Sequence, residues 1–102
     1  MSGSQSGFTI IFWRDIPTQI VMGRGRKARK QQLSDRFMVA VDKAAMAAGL
    51  ATTDAYLAQW RKVPFRPENP AVPPRMDDIA RKLEQDYPTS RLAELARNGG
   101  LE

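Results

Sequence analysis

The residues best equipped for chemistry in this chain are cations crowded into one stretch, Gly23-Arg24-Gly25-Arg26-Lys27-Ala28-Arg29-Lys30. Lys and Arg total 16 against 11 Asp and Glu, so Arg24, Arg26, Lys27, Arg29 and Lys30 account for the whole net charge of +5. A charge focused in one place attracts an anionic partner better than the same charge spread evenly, because its field is not cancelled locally. Glycine-spaced arginines offer guanidinium forks and open backbone amides to carboxylate or phosphate. Gly23-Arg24-Gly25 is not a phosphate loop, since it lacks the glycine-lysine-serine ending and a helix start directly behind it. Two readings stay open: a binding edge for an anion, or a solvated run that blunts an exposed strand edge.

Other chemistry is excluded by what is missing. With no His and no Cys, the chain has no imidazole base beside a serine and no ordinary zinc ligand set. An enzyme built from it would depend on carboxylates, lysine or tyrosine in tuned environments, and no spacing singles out such a pair. No catalytic residue, metal or cofactor is therefore expected. Trp13 and Trp60 could form an aromatic platform, although a tryptophan in an apolar strand ordinarily belongs to the core. Asp77-Asp78 invites a metal reading, but carboxylates in a first helical turn meet the positive end of the helix dipole. Arg14 is a further candidate contact, because an arginine beside Asp15 at a strand end needs a structural reason.

The elements that must position these residues can be read in turn. Phe8-Thr9-Ile10-Ile11-Phe12-Trp13-Arg14 is β-branched and aromatic throughout, which predicts a central strand. Asp15-Ile16-Pro17-Thr18 supplies turn chemistry, and Gln19-Ile20-Val21-Met22-Gly23 reads as the returning strand of a hairpin. Such a ribbon is marginal alone, so a third strand or a packed helix is required. Gly23 and Gly25 allow the basic run to leave the sheet or form a bulge.

Ser34 is placed as the N-cap of a helix carrying Phe37, Met38, Val41, Ala44, Ala45 and Ala48 on helical spacing, with Gly49 closing it. Its alanine-rich middle would allow it to lie close against a sheet. Thr52-Thr53-Asp54 forms another cap-like cluster. A short helical turn at 53–55 is expected to lead into a strand through Tyr56, Ala58 and Trp60, although helix and strand both fit residues 56–61. Pro64, Pro67, Pro70, Pro73 and Pro74 mark an extended connector, with a PxxP ligand as the sharper reading of the same residues. Pro74 suits N1 of a helix carrying Met76, Ile79, Ala80, Leu83 and Tyr87, which Pro88 ends; Thr89 or Ser90 then caps a last helix through Leu92, Leu95 and Ala96 to Asn98-Gly99.

The expected fold is α+β: a small, mainly antiparallel sheet with an N-terminal β-hairpin, packed by two to three helices. The 102 residues fit one domain at 8–98, between a polar tail at 1–7 and a flexible end at 99–102, where Leu101-Glu102 reads as a pair left by a cloning site. The expected core is Ile10, Phe12, Ile20, Met22, Phe37, Val41, Leu57, Ile79 and Leu83. No apolar run reaches the roughly 20 residues of a membrane span, and no secretory signal is read at the start. A cytoplasmic protein without disulfides is the expectation.

Ile11-Phe12-Trp13-Arg14-Asp15-Ile16-Pro17, Gly23-Arg24-Gly25, the Phe37 helix and Asp54-Ala55-Tyr56-Leu57-Ala58-Gln59-Trp60-Arg61 together resemble the bacterial domain family labelled conserved virulence factor. The likeness covers most of residues 8–62. It implies an accessory or interaction module, found alone or joined to helical repeats, and it brings no catalytic residues. The leading expectation is a non-enzymatic module that docks a protein or other anionic partner through Arg24, Arg26, Lys27, Arg29 and Lys30. A nucleic-acid-binding protein using the same run is the rival, and a subunit of an enzyme handling an anionic cofactor is a weaker third.

Overall fold

A computed structural model describes residues 7–23, 25–50, 52–67, 71–72 and 74–102. The parts of the sequence reading that fall on residues 1–6, Arg24, Pro70 and Pro73 lie outside the described residues. The chain runs β1 (Phe8–Trp13), β2 (Ile16–Met22), a 3-10 turn (Gly25–Lys27), β3 (Arg29–Gln32), α1 (Asp35–Ala47), α2 (Thr53–Leu57), β4 (Trp60–Pro64), α3 (Met76–Asp86) and α4 (Thr89–Arg97). Its strands form one four-stranded sheet of order β3-β2-β1-β4, antiparallel at every pairing. The α+β expectation holds, with the Phe8 strand central and the hairpin at its heart.

The basic run does not simply leave the sheet. Gly23 at φ +84° and Gly25 at φ +66° turn the chain in a region that L side chains avoid, and Arg29 to Gln32 then return as the edge strand. At the opposite edge, Thr52 caps α2 by accepting the Ala55 N–H at 3.2 Å, and β4 follows after one turn. Residues 56–61 are thus divided: helix through Leu57, strand from Trp60. Pro64 is tolerated because β4 is an edge, where a missing donor costs little.

All the helical cover lies on one face. Phe8, Ile10, Trp13, Ile16 and Ile20 pack there with Leu33, Phe37, Val41, Ile79, Leu92 and Leu95. The inward positions of β1 are Phe8, Ile10 and then Trp13, not Phe12. A bulge in β2 lies beside this break: Ile11 pairs with Gln19 and Phe12 with Pro17, leaving Thr18 unpaired in register between them. Thr18 is buried, and its hydroxyl donates to the Ile11 carbonyl at 2.9 Å while its own carbonyl accepts the Leu33 N–H at 3.0 Å. Phe12 is only partly buried where it packs against the core, and Trp13, opposite Ile16 beyond the bulge, is fully inside.

Three further core expectations are corrected. Met22 is 41% exposed because it ends β2 opposite edge residue Arg29. Leu57 is 54% exposed because the helical turn directs Tyr56 onto the Trp13 ring, at 5.6 Å between centroids, and Leu57 away from it. Leu83 is only half-buried at the rim of the cluster. Among the helices, α1 packs most extensively against α4, so its alanines admit a neighbouring helix as much as the sheet. Ser34 occupies the N-cap of α1, where its carbonyl accepts the Phe37 N–H at 3.1 Å but its side chain caps no backbone N–H of the helix. Instead its N–H and hydroxyl both donate to the Glu84 carboxylate of α3, at 2.7 and 2.9 Å. Pro74 precedes the N-cap of α3, which is Arg75, and Pro88 takes the N-cap of α4.

Gly99 and Gly100, placed by composition in a flexible end, are buried against the hairpin turn. Gly100 offers its carbonyl to the Asp15 N–H at 2.8 Å and donates its own N–H to Leu95 at 2.7 Å. Both glycines have positive φ, +70° and +89°, which lets the chain leave α4 and pass directly over Trp13.

Candidate functional site

The basic run builds an edge from two local structures. Arg26 and Lys27 stand exposed on the 3-10 turn, which closes through an Ala28 N–H to Gly25 carbonyl bond of 3.1 Å. Arg29 and Lys30 stand exposed on β3, where lysine and arginine suit an edge strand because they discourage further strand addition. Among the described residues, none of these four cations takes part in an ion pair.

The pleat divides them. Arg29 pairs with Met22 and lines a hollow on the helical side with Phe8, Met76 and Asp77. Lys30 pairs with Val21 and lies on the opposite, open face. Alternating side chains cannot present one flat patch, so the edge reaches around both sides of the sheet.

Arg14 belongs to a different place. It sits in the β1–β2 turn, separated from the basic run by the length of β2, roughly 20 Å of strand. Its φ of +53° is a left-handed conformation, unusual for a residue with a side chain. The surroundings hold it there: Nε donates to Gln59 Oε1 at 3.0 Å, Nη1 to the Gly99 carbonyl at 3.0 Å, and the backbone N–H to the Gln59 carbonyl at 3.1 Å. Asp15 completes the knot by accepting from Arg61 at 3.2 Å and from the Glu102 N–H at 2.8 Å. These contacts tie β1, β4 and the chain beyond α4 together, and they give the Arg14-Asp15 pair a structural task.

The remaining candidates divide in the same way. Trp13 is core, with its indole N–H donating to the Tyr56 carbonyl at 3.0 Å. Trp60 is half-buried and meets Tyr56 edge-on at 6.1 Å. Asp77 and Asp78 lie in the first turn of α3, and Asp78 pairs with Arg81 at 3.2 Å.

One feature escaped the sequence reading. The open face carries a hollow of about 590 Å³ beside Gly23 and Gly25, with Ile11 and Val21 in its floor and Lys30 and Lys62 on its margins. Thr9 and Gln19 are its uncharged polar groups. Lys62 comes from β4 through its pairing with Ile11, a neighbour invisible until strand order is known. Among the described residues, no carboxylate lines this hollow.

Fold and site therefore define a small α+β domain with helices on one face, a cationic edge and an open second face. The family described as Virulence factor matches residues 11–96, and the chain belongs to that family. The match extends beyond residue 62 to take in the proline-rich connector, α3 and almost all of α4. No curated protein and no solved structure matches the chain. Among the described residues, no helix is long and apolar enough to cross a membrane.

Proposed function

We propose that this chain is a non-enzymatic, cytoplasmic accessory module that docks an anionic partner through the cationic edge formed by Arg26, Lys27, Arg29 and Lys30. The observation that supports this most is their freedom: all four are exposed, and none is neutralised by a described carboxylate. The other cations with structural work, Arg14, Arg36, Arg61 and Arg91, are bonded within the fold. Unspent charge at a sheet edge costs self-repulsion in the isolated protein and is relieved when an anion arrives. A protein surface rich in carboxylates is the partner this reading favours.

Titration with poly-glutamate, followed by backbone amide shifts, tests the reading. Shifts confined to 25–32 that disappear when Arg26, Lys27, Arg29 and Lys30 are all replaced by Gln are the expected result. A silent spectrum, or shifts that survive the replacement, would overturn it. A mixed oligonucleotide in the same assay addresses the nucleic-acid alternative: engagement of four phosphates would make log K fall with log salt at a slope of about −3 to −4. Binding of the oligonucleotide in preference to poly-glutamate would make that alternative the better account.

A further inference from the structure

We infer that the open face of the sheet is a second docking surface, shaped for one amphipathic α-helix of a partner with an apolar stripe flanked on both sides by carboxylates. This goes beyond the cationic edge and shares only Lys30 with it.

The geometry starts from the register. Lys30 of β3 stands beside Val21 of β2, which stands beside Thr9 of β1. Two residues along, Lys62 of β4 stands beside Ile11 of β1, which stands beside Gln19 of β2. The lysines thus occupy the two outer strands and the aliphatic side chains the two inner ones. With strands about 4.8 Å apart, three steps and a two-residue offset separate the lysine backbones by about 16 Å. An α-helix with its side chains is about 10–12 Å across, so one helix fits between them and its flanking carboxylates come within lysine reach. A smaller hollow lined by Ile11, Gln19, Trp60, Arg61 and Lys62 continues the floor along the strands toward Trp60, lengthening the groove.

The same facts disfavour other occupants. A second copy of this chain would bring lysine margins against lysine margins. Single-stranded nucleic acid needs aromatic faces for its bases, whereas the centre of the floor is aliphatic. A bilayer requires protruding apolar groups, and here they lie at the bottom of a hollow. Apolar floor and cationic margins match the helix-in-groove mode of recognition, with rim charge setting partner choice.

The test uses two synthetic helical peptides of equal length, each with a leucine stripe, one flanked by Glu and the other by Lys. Binding is read by peptide fluorescence anisotropy and by amide shifts on the intact chain. The Glu-flanked peptide is expected to shift Thr9, Ile11, Gln19 and Val21, and the pair K30E/K62E is expected to weaken it about tenfold or more. Val21→Thr, a residue at ease in a strand, is expected to weaken it while leaving the fold intact. The triple variant R26E/K27E/R29E separates the two surfaces: open-face shifts that persist in it uphold this inference even if poly-glutamate binding at the edge fails. No shift at about 1 mM peptide, equal binding of the Lys-flanked peptide, or shifts confined to the helices or the edge would overturn it. So would tighter open-face binding by an oligonucleotide, or self-association that buries this face.

Discussion

Gly100→Ala is the substitution for which the structure makes the sharpest forecast. A Cβ built at Gly100 would lie 2.9 Å from Trp13 Cζ3, 3.2 Å from Trp13 Cε3 and 3.3 Å from Arg14 Cβ. The ring cannot readily tilt away, because Trp13 is fully buried and its indole N–H is held by the Tyr56 carbonyl. Two costs combine. Holding alanine at φ +89° costs about 1–2 kcal/mol, and forcing a methyl into a filled site adds about 1–3 kcal/mol. The total, about 2–5 kcal/mol, is a large share of the 5–15 kcal/mol that typically separates folded from unfolded states, and it lowers Tm by on the order of 10–25 °C. Gly25→Ala is the matched control, with φ +66° and nothing within 4 Å of the added carbon. It incurs only the backbone cost, about 1–2 kcal/mol. Urea unfolding followed by circular dichroism and tryptophan fluorescence measures both. Equal costs, within about 0.5 kcal/mol, would refute the claim that residues 99–100 are packed against the hairpin turn.

Further outcomes follow from the bulge, the Glu84 knot and the edge. Thr18→Val keeps the shape but loses the hydroxyl donated to Ile11, and is expected to cost about 1 kcal/mol in the same assay; no change would mean that the bulge does not depend on that bond. At Glu84, partial burial disfavours the charge, but the Ser34 N–H, the Arg36 guanidinium and the Ser34 hydroxyl outweigh it and hold the carboxyl below the ordinary range. A lowered folded-state pKa contributes stability that is present at neutral pH and lost as pH falls through that value. Since the pair is about one-third exposed, the advantage of wild type over Glu84→Gln should be only about 1 kcal/mol at pH 7 and should shrink below about pH 4. A gap that stays constant from neutral to acid would sink this assignment. The triple variant R26E/K27E/R29E is expected to unfold within about 0.5 kcal/mol of wild type, since those side chains hold no described ion pair; a large loss would give the edge a structural role.

Much of the architecture was legible because its signals are local. The β-branched and aromatic run from Phe8 and the periodicity after Ser34 and Met76 each act within a few residues, whereas the turn expected at Asp15 to Thr18 is confined to Arg14-Asp15 and β2 already begins at Ile16. The focused charge was equally plain, as was the lack of histidine and cysteine. These features determined that the chain would form a hairpin-centred α+β domain with one cationic segment and no imidazole or thiol chemistry.

The tertiary structure decided everything that depends on which strands become neighbours. Sequence alternation placed Phe12 inside, but Phe12 is only partly buried against the core while Trp13 is fully inside, closed over by Tyr56 and Gly100 from distant parts of the chain. Arg14 looked like a candidate contact until Gln59 and Gly99, 45 and 85 residues away, were found bonded to it. Gly99-Gly100 looked like a tail, yet their lack of side chains is what allows them to cover Trp13. Lys62 acquired meaning only when β4 paired with β1 and set it across the open face from Lys30. Propensity and charge act over a few bonds and can be read along a chain; packing, register and facing surfaces arise between segments distant in sequence, and only the folded chain brings them together.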